Sequence, residues 1–100
     1  MFIAMNRFTV RAGREADFEG VWRDRDSFLA EVPGFEGFHL LRGPTTDDTT
    51  LFVSHSVWRS KADFEAWTES EAFRRAHGDA RTPQGTVVRP PSFEGFEVVL

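Results

Sequence analysis

The sequence contains no cysteine, which excludes disulfides, thiolate metal sites and cysteine nucleophiles. It also contains no apolar run long enough for a membrane span or a signal peptide, so a cytoplasmic protein is predicted. Sixteen acidic and 12 basic residues give a net charge of -4. This balance argues against nucleic acid or an anionic membrane as a partner.

Tyrosine is absent as well, although there are 11 Phe and three Trp. Most of the aromatic area therefore has no hydroxyl group that would need a buried partner. Such a composition suits a flat apolar pocket, and it suits a Phe-rich core equally well.

One hundred residues predict a single domain over residues 1–100, large enough for a core of two layers. Apolar periodicity and turn signals predict strand, helix, strand, strand, helix and strand at 2–10, 14–32, 35–41, 51–58, 62–77 and 93–100. This order indicates an α+β fold of the ferredoxin-like βαββαβ type, with helices on one face of an antiparallel sheet.

The first strand has two apolar faces. Asn6 lies in a row with Phe2, Ala4, Phe8 and Val10, while Ile3 and Met5 point to the other side. Because the helices cover only one face, the other needs a different cover. A homodimer that packs sheet against sheet is predicted.

The segment "ADFEAWTESEAFRRAH", residues 62–77, contains an amphipathic pattern with two capping signals. Ser60 with Asp63, and Thr68 with Glu71, both have capping-box spacing. We therefore expect two short helices with a break near Thr68. The spacing alone leaves open whether Trp67 and His77 face the same side.

Three residues sit awkwardly in these patterns. Asn6 places an amide in an apolar row, which indicates either a core hydrogen bond or a functional role. Arg25 interrupts the apolar stripe of the first helix, and it either extends to the rim or pairs with a ligand carboxylate. His77 ends the last helical turn, where a histidine is common for electrostatic reasons alone.

No other motif indicates chemistry. His39 and His55 fall in predicted strands without metal-ligand spacing, and there is no zinc or calcium pattern, nucleophile motif, phosphate-binding loop or dinucleotide fingerprint.

Four stretches together resemble a known family: "NRFTV", "PGFEGFHLL", "ADFEAW" and "FRRAH". They are similar to the antibiotic biosynthesis monooxygenase (ABM) superfamily, and within it to the small bacterial heme-degrading monooxygenases of the IsdG and MhuD type. The resemblance covers nearly the whole chain. It implies a dimeric α/β barrel and an enzyme that cleaves heme with O2 and electrons from an external donor, giving a bilin-type product and free iron.

By this resemblance, Asn6, Trp67 and His77 are the catalytic residues. His77 would be the axial ligand of the heme iron, Asn6 would orient the oxygen, and Trp67 would distort the porphyrin. Arg25 would pair with a propionate, while Trp22 and Phe18 would face the ring or serve as ordinary core residues.

Two alternatives stay open at this point. The wider superfamily includes cofactor-free monooxygenases that oxidise polycyclic aromatic or quinol substrates in the same cleft. A protein that binds heme without degrading it is the second alternative, because the fold alone does not decide the activity.

Overall fold

The computed structural model describes residues 1–24, 29–71, 73–74 and 85–100. Four strands and two helices follow in the order β1 (Phe2–Arg11), α1 (Glu15–Asp24), β2 (Phe35–Thr46), β3 (Thr49–Trp58), α2 (Lys61–Thr68) and β4 (Ser92–Glu97), with a 3-10 helix at Leu29–Glu31 between α1 and β2. The predicted order is confirmed.

The strands form one antiparallel sheet in the spatial order β2-β3-β1-β4. This is the ferredoxin-like topology, in which the two strands that follow the helices flank the central pair. The predicted α+β ferredoxin-like fold is therefore confirmed.

The second strand is longer than the sequence predicts. The predicted strand ends at residue 41, whereas β2 runs through Gly43 and Pro44 to Thr46, and the register shifts between Arg42 and Thr45. Proline is tolerated there because β2 is an edge strand. The turn itself is only Asp47 and Asp48, both with positive φ, as a tight two-residue hairpin requires.

The face of the sheet toward the helices carries two groups of packed apolar residues. The α1-side cluster contains Val10, Phe18 and Phe52, with Phe8, Trp22, Leu40 and Val87 packed against them. The α2-side cluster contains Phe2, Ala4 and Trp58, with Leu29, Val32, Phe35, Phe64 and Trp67 packed against them. The alternation predicted for β1 is thus confirmed, since Phe2, Ala4 and Val10 are all buried.

Helix α1 is tied to the sheet at its first residue. The Thr50 hydroxyl donates to Glu15 Oε2 at 2.7 Å, and the Gly13 N–H donates to Glu15 Oε1 at 2.8 Å. Thr50 is completely buried, so the contact fixes the start of α1 over one end of β3. Helix α1 covers Glu15–Asp24, and residues 25–28 of the predicted span 14–32 lie outside the described residues. Leu29–Glu31 form a 3-10 helix that ends ahead of Pro33 and Gly34.

Helix α2 begins as its capping signal predicts. Ser60 Oγ accepts from the Asp63 N–H at 3.1 Å and donates to Asp63 Oδ2 at 3.0 Å. The predicted break is also present, because α2 ends at Thr68 and residues 71, 73 and 74 are helical again.

The residue that caps this second turn is Ser70, however, and not Thr68. Ser70 Oγ accepts from the Phe73 N–H at 3.2 Å. Thr68 instead donates back to the Glu65 carbonyl at 2.7 Å, which leaves its hydroxyl inside the preceding turn.

The opposite side of the sheet, called here the far face, carries apolar and polar residues together. The apolar ones are Ile3, Met5, Leu41, Leu51, Val53, Val57 and Phe96, and the polar ones include Arg7, Thr9, His39, His55 and Glu94. Leu41 and Phe96 are 44% and 46% exposed. Within the described ranges, no helix combines the length and apolar composition needed to cross a bilayer.

Candidate active site

The site that the sequence predicts around Asn6 lies at the centre of the helix-facing side of the sheet. Strand pairing places four residues side by side across all four strands, and we call them the central row: Leu40, Ser54, Asn6 and Phe93. The next row toward α2 contains Phe38, Ser56, Ala4 and Gly95. On the two central strands these rows contain only small or polar side chains, whereas the edge strands contribute Leu40, Phe38 and Phe93.

Spacing along β1 sets the width of this central region. Phe2 and Phe8 lie on the same face, six residues apart, which corresponds to about 20 Å of strand. Gly95 adds no side chain to this region, and a Cβ at this position would lie 2.6 Å from Phe2 Cζ. The result is an area of small side chains bordered at both ends by large rings.

Asn6 is half-buried, and its side-chain amide makes no hydrogen bond to any of the residues that the structure describes. Its neighbours across the sheet, Ser54 and Phe93, share its face. The interpretation of Asn6 as a core amide bonded to a backbone group thus finds no support among the described residues. An amide in this position has a donor and an acceptor available to a ligand.

Trp22 of α1 forms one border of this region. It is half-buried and stacks on Phe38 of β2, with ring centroids 5.6 Å apart and an interplanar angle of 19°. Phe8 meets it edge-on at 5.7 Å. Phe18, in contrast, is only 1% exposed and packs at 5.0 Å on Phe52. Phe18 is therefore placed to support Trp22 from within the core.

Trp67 of α2 belongs to the opposite border. Its ring centroid lies 5.2 Å from that of Trp58 and 4.8 Å from that of Phe73, which it meets edge-on at 86°. Trp67 is half-buried, whereas Trp58 is completely buried. Trp67 is thus the outer indole of a pair.

Phe64 and Phe93 form a further aromatic wall that the sequence analysis did not identify. Their rings are parallel within 6° and 5.6 Å apart, and Phe93 is 52% exposed directly beside Asn6. The alternation of "SFEGF" places Phe93 and Gly95 on one face. Whether this is the helix-facing side or the far face depends on the register between β4 and β1. The alternation within one strand does not determine that register.

Two acidic residues have a lowered pKa, and both hold the start of a helix. Hydrogen bonding from Thr50 lowers the pKa of Glu15, and hydrogen bonding from Ser60, followed by Arg59, lowers the pKa of Asp63. Neither carboxylate belongs to the central row. These carboxylates thus anchor the two helices.

Two of the predicted site residues, Arg25 and His77, lie outside the described residues. In the part of the chain that is described, no group of three or more His, Asp or Glu side chains could hold a metal ion. The structure therefore brings Asn6, Trp22 and Trp67 to the same side of the sheet, with Phe18 beneath Trp22.

These features fit the heme group that the resemblance implies. A flat and largely apolar macrocycle needs an extended surface of rings, which Trp22, Phe38, Phe93 and Trp67 provide. Asn6 supplies one polar group at the centre of this surface. A ligand could bond to its amide without first breaking a hydrogen bond to any of the described residues.

Comparison with known proteins agrees with this interpretation. Residues 1–79 match the family model described as antibiotic biosynthesis monooxygenase. A heme-degrading monooxygenase from Shouchella clausii is 37% identical over 98 residues, which is 98% of this chain and 85% of that protein. A mycobilin-producing heme oxygenase from Mycobacterium tuberculosis is 32% identical over 98% of this chain and 89% of its own length.

The fold is also similar to a solved structure of the heme-degrader MhuD from Mycobacterium tuberculosis, which has two hemes bound in its active site. The TM-score is 0.76 and the identity 32%, covering 100% of this chain and 97% of that one. The resemblance inferred from the sequence motifs is therefore confirmed.

Proposed function

Because the chain belongs to the antibiotic biosynthesis monooxygenase family, we propose that it is a heme-degrading monooxygenase. This oxidoreductase opens the porphyrin ring with O2 and external electrons, producing a bilin-type product and free iron. Relatives that span most of both chains are named for this reaction. The observation that carries the proposal is the Asn6 amide, unbonded within the described residues, at the centre of an aromatic surface.

Each residue has a physical role in this proposal. His77 would hold the iron through a neutral imidazole, and Arg25 would pair with a propionate. Asn6 would donate an amide N–H to oxygen at the iron. When bound, heme contributes the iron at which O2 is reduced, so the redox chemistry belongs to the substrate.

Trp67 would press on the bound macrocycle and distort it. An indole is large and rigid, and this one is backed by Trp58 and Phe73 at centroid distances of 5.2 and 4.8 Å. A ring with such support resists displacement when a ligand presses on it. Trp22 and Phe93 line the remaining apolar surface and keep water from the polar centre.

The far face supports a second part of the proposal, namely that two copies pack sheet to sheet. Leu41 and Phe96 are exposed there, and His55 Nδ1 is buried without a hydrogen-bond partner in the described residues. Apolar surface of this kind favours association. Light scattering after gel filtration is expected to give the mass of a dimer, and a monomer at micromolar concentration would contradict this part.

We also propose that the enzyme works in the cytoplasm.

Titration of the purified protein with hemin tests the ligand assignment. We expect a Soret band that is lost in His77→Ala and retained in His39→Ala, the matched control on an exposed position of β2. An unchanged band in His77→Ala would show that His77 is not the iron ligand.

Addition of ascorbate to the hemin-loaded protein under air then tests turnover. Decay of the Soret band with a new long-wavelength absorbance is expected from ring opening. A stable Soret band would instead indicate a heme carrier. No band at all, together with oxygen uptake in the presence of a polycyclic quinol, would indicate the cofactor-free type of monooxygenase.

A further inference from the structure

The orientation of Trp67 depends on a second tryptophan beneath it. The Trp58 and Trp67 rings lie 5.2 Å apart at 31°, and no part of Trp58 is exposed. Phe35 and Phe64 meet Trp58 edge-on, at 5.5 and 5.7 Å. In a close-packed environment of this kind, a tilt of Trp58 has to be followed by the ring stacked on it.

A single polar contact fixes Trp58 in its plane. Its Nε1–H donates to Ser56 Oγ at 2.9 Å, and Ser56 Oγ donates to the Ala4 carbonyl at 3.4 Å. Hydrogen bonds are directional, so the serine constrains the rotation of the indole about its Cβ–Cγ bond. This contact adds a directional constraint to the packing of the surrounding rings.

The same contact connects the tryptophan pair to the strand that carries Asn6. Ala4 and Asn6 point to the same face of β1, two residues apart, and Ser56 is the Cα partner of Ala4 on β3. The chain of contacts therefore runs from β1 through Ser56 and Trp58 to Trp67. It relates Asn6 to Trp67, the two described residues to which the function proposed above assigns catalytic roles.

We propose that Ser56 and Trp58 are positioning residues that set the tilt of Trp67, and through it the distortion of the bound heme. The proposal rests on the function proposed above for Trp67. Ser56→Ala leaves the Trp58 N–H without its acceptor, so Trp58 rotates and Trp67 follows. The expected consequence is a macrocycle with a different out-of-plane distortion, without loss of the surface that binds it.

The protein without heme provides the first test. Two indoles about 5 Å apart couple electronically, so the pair is expected to give an exciton couplet in circular dichroism that both Trp58→Phe and Trp67→Phe abolish and Trp22→Phe retains. Ser56→Ala should lose most of the couplet, and Ser56→Thr, which keeps the hydroxyl, should restore it. A couplet in Ser56→Ala equal to that of the parent protein would overturn the proposal.

Thr50→Ala is the matched control for a general loss of stability. Thr50 lies on the same face of β3, six residues from Ser56, and its hydroxyl is bonded to Glu15 on α1. The couplet should persist in this variant. If Thr50→Ala lowers the couplet as much as Ser56→Ala does, the effect reports stability and the proposal fails.

Resonance Raman spectra of the hemin-loaded protein provide the second test. Bands that report out-of-plane distortion are expected to shift in Ser56→Ala, to return in Ser56→Thr and to stay unchanged in Thr50→Ala. A lost couplet with unshifted bands would refute the effect on heme. If the parent protein binds no hemin, the proposed function fails, while the couplet still tests how Ser56 positions the pair. If Ser56→Ala does not fold, Ser56→Cys and Trp58→Phe are measured in its place.

Discussion

Replacement of Asn6 by leucine is expected to stabilise the protein while it abolishes heme turnover. The amide is half-buried in the helix-facing row of β1, with no hydrogen bond to the described residues. If Asn6 served only to stabilise the fold, its replacement by leucine would be expected to destabilise the protein. The variant thus separates a structural role of Asn6 from a functional one.

The expected gain follows from two contributions. Burying about half of a leucine side chain contributes about 1 kcal/mol. Removing a partly desolvated amide that lacks a partner contributes up to about 1 kcal/mol more. The free energy of unfolding should therefore rise by about 1 to 2 kcal/mol, and each kcal/mol corresponds to roughly 4–8 °C in Tm for a domain of this size.

Urea and thermal unfolding at a fixed protein concentration measure this change, and Soret decay with ascorbate measures turnover. Thr9→Leu is the matched control, since it makes a polar-to-apolar change on the other face of the same strand and should retain turnover. An Asn6→Leu protein that is less stable than the parent by more than about 1 kcal/mol would refute the reasoning, because it would mean that the amide makes native interactions.

Two further changes test the anchoring of the helices. Ser60→Ala removes the cap of α2, and the free energy of unfolding should fall by about 1 kcal/mol. Ser60→Thr should keep most of that stability, because its hydroxyl can still accept from the Asp63 N–H and donate to the Asp63 carboxylate; an equal loss in both variants in urea unfolding would contradict the capping role. The pKa of Glu15 lies below its ordinary value because the Thr50 hydroxyl donates to the carboxylate. The contact therefore stabilises the fold at a pH above the pKa of Glu15 in the unfolded chain. This stabilisation is lost as the pH falls through the lower pKa of Glu15 in the folded protein. In Thr50→Val, the urea midpoint should therefore fall less steeply below about pH 4.3 than in the parent protein. If the urea midpoints of the two proteins fall equally with pH, the Thr50 hydrogen bond is not the cause of the lowered pKa.

Much of the fold could be predicted from the sequence because its signals are local. Alternation in β1 predicted which side chains are buried, and Ser60 with Asp63 predicted the start of α2. The break after Trp67 was also predicted correctly. Its cap was assigned to the wrong residue, because Thr68 and Ser70 both have a hydroxyl near the break and only the backbone geometry selects Ser70.

The site was predicted only in part. Asn6 could be identified by its position in an apolar row, and Trp67 by a family motif. Phe93, Ser56 and Trp58 have no such local signal in the sequence. Their importance depends on which residues stand opposite one another across strands distant in sequence. The roles of Asn6, Trp67, Trp22 and Phe18 in binding and catalysis stay predictions, as do those of His77 and Arg25, which lie outside the described residues.

By itself, the sequence determined the order of helices and strands, the inward face of β1 and the presence of an awkward amide in that face. Periodicity and capping specify these features within a few neighbouring residues. Only the tertiary structure decided that the amide meets Phe93 on one side and Ser54 on the other, and that Ser56 holds the indole beneath Trp67. These contacts are set by strand register, and a shift of one residue would turn every side chain to the other face.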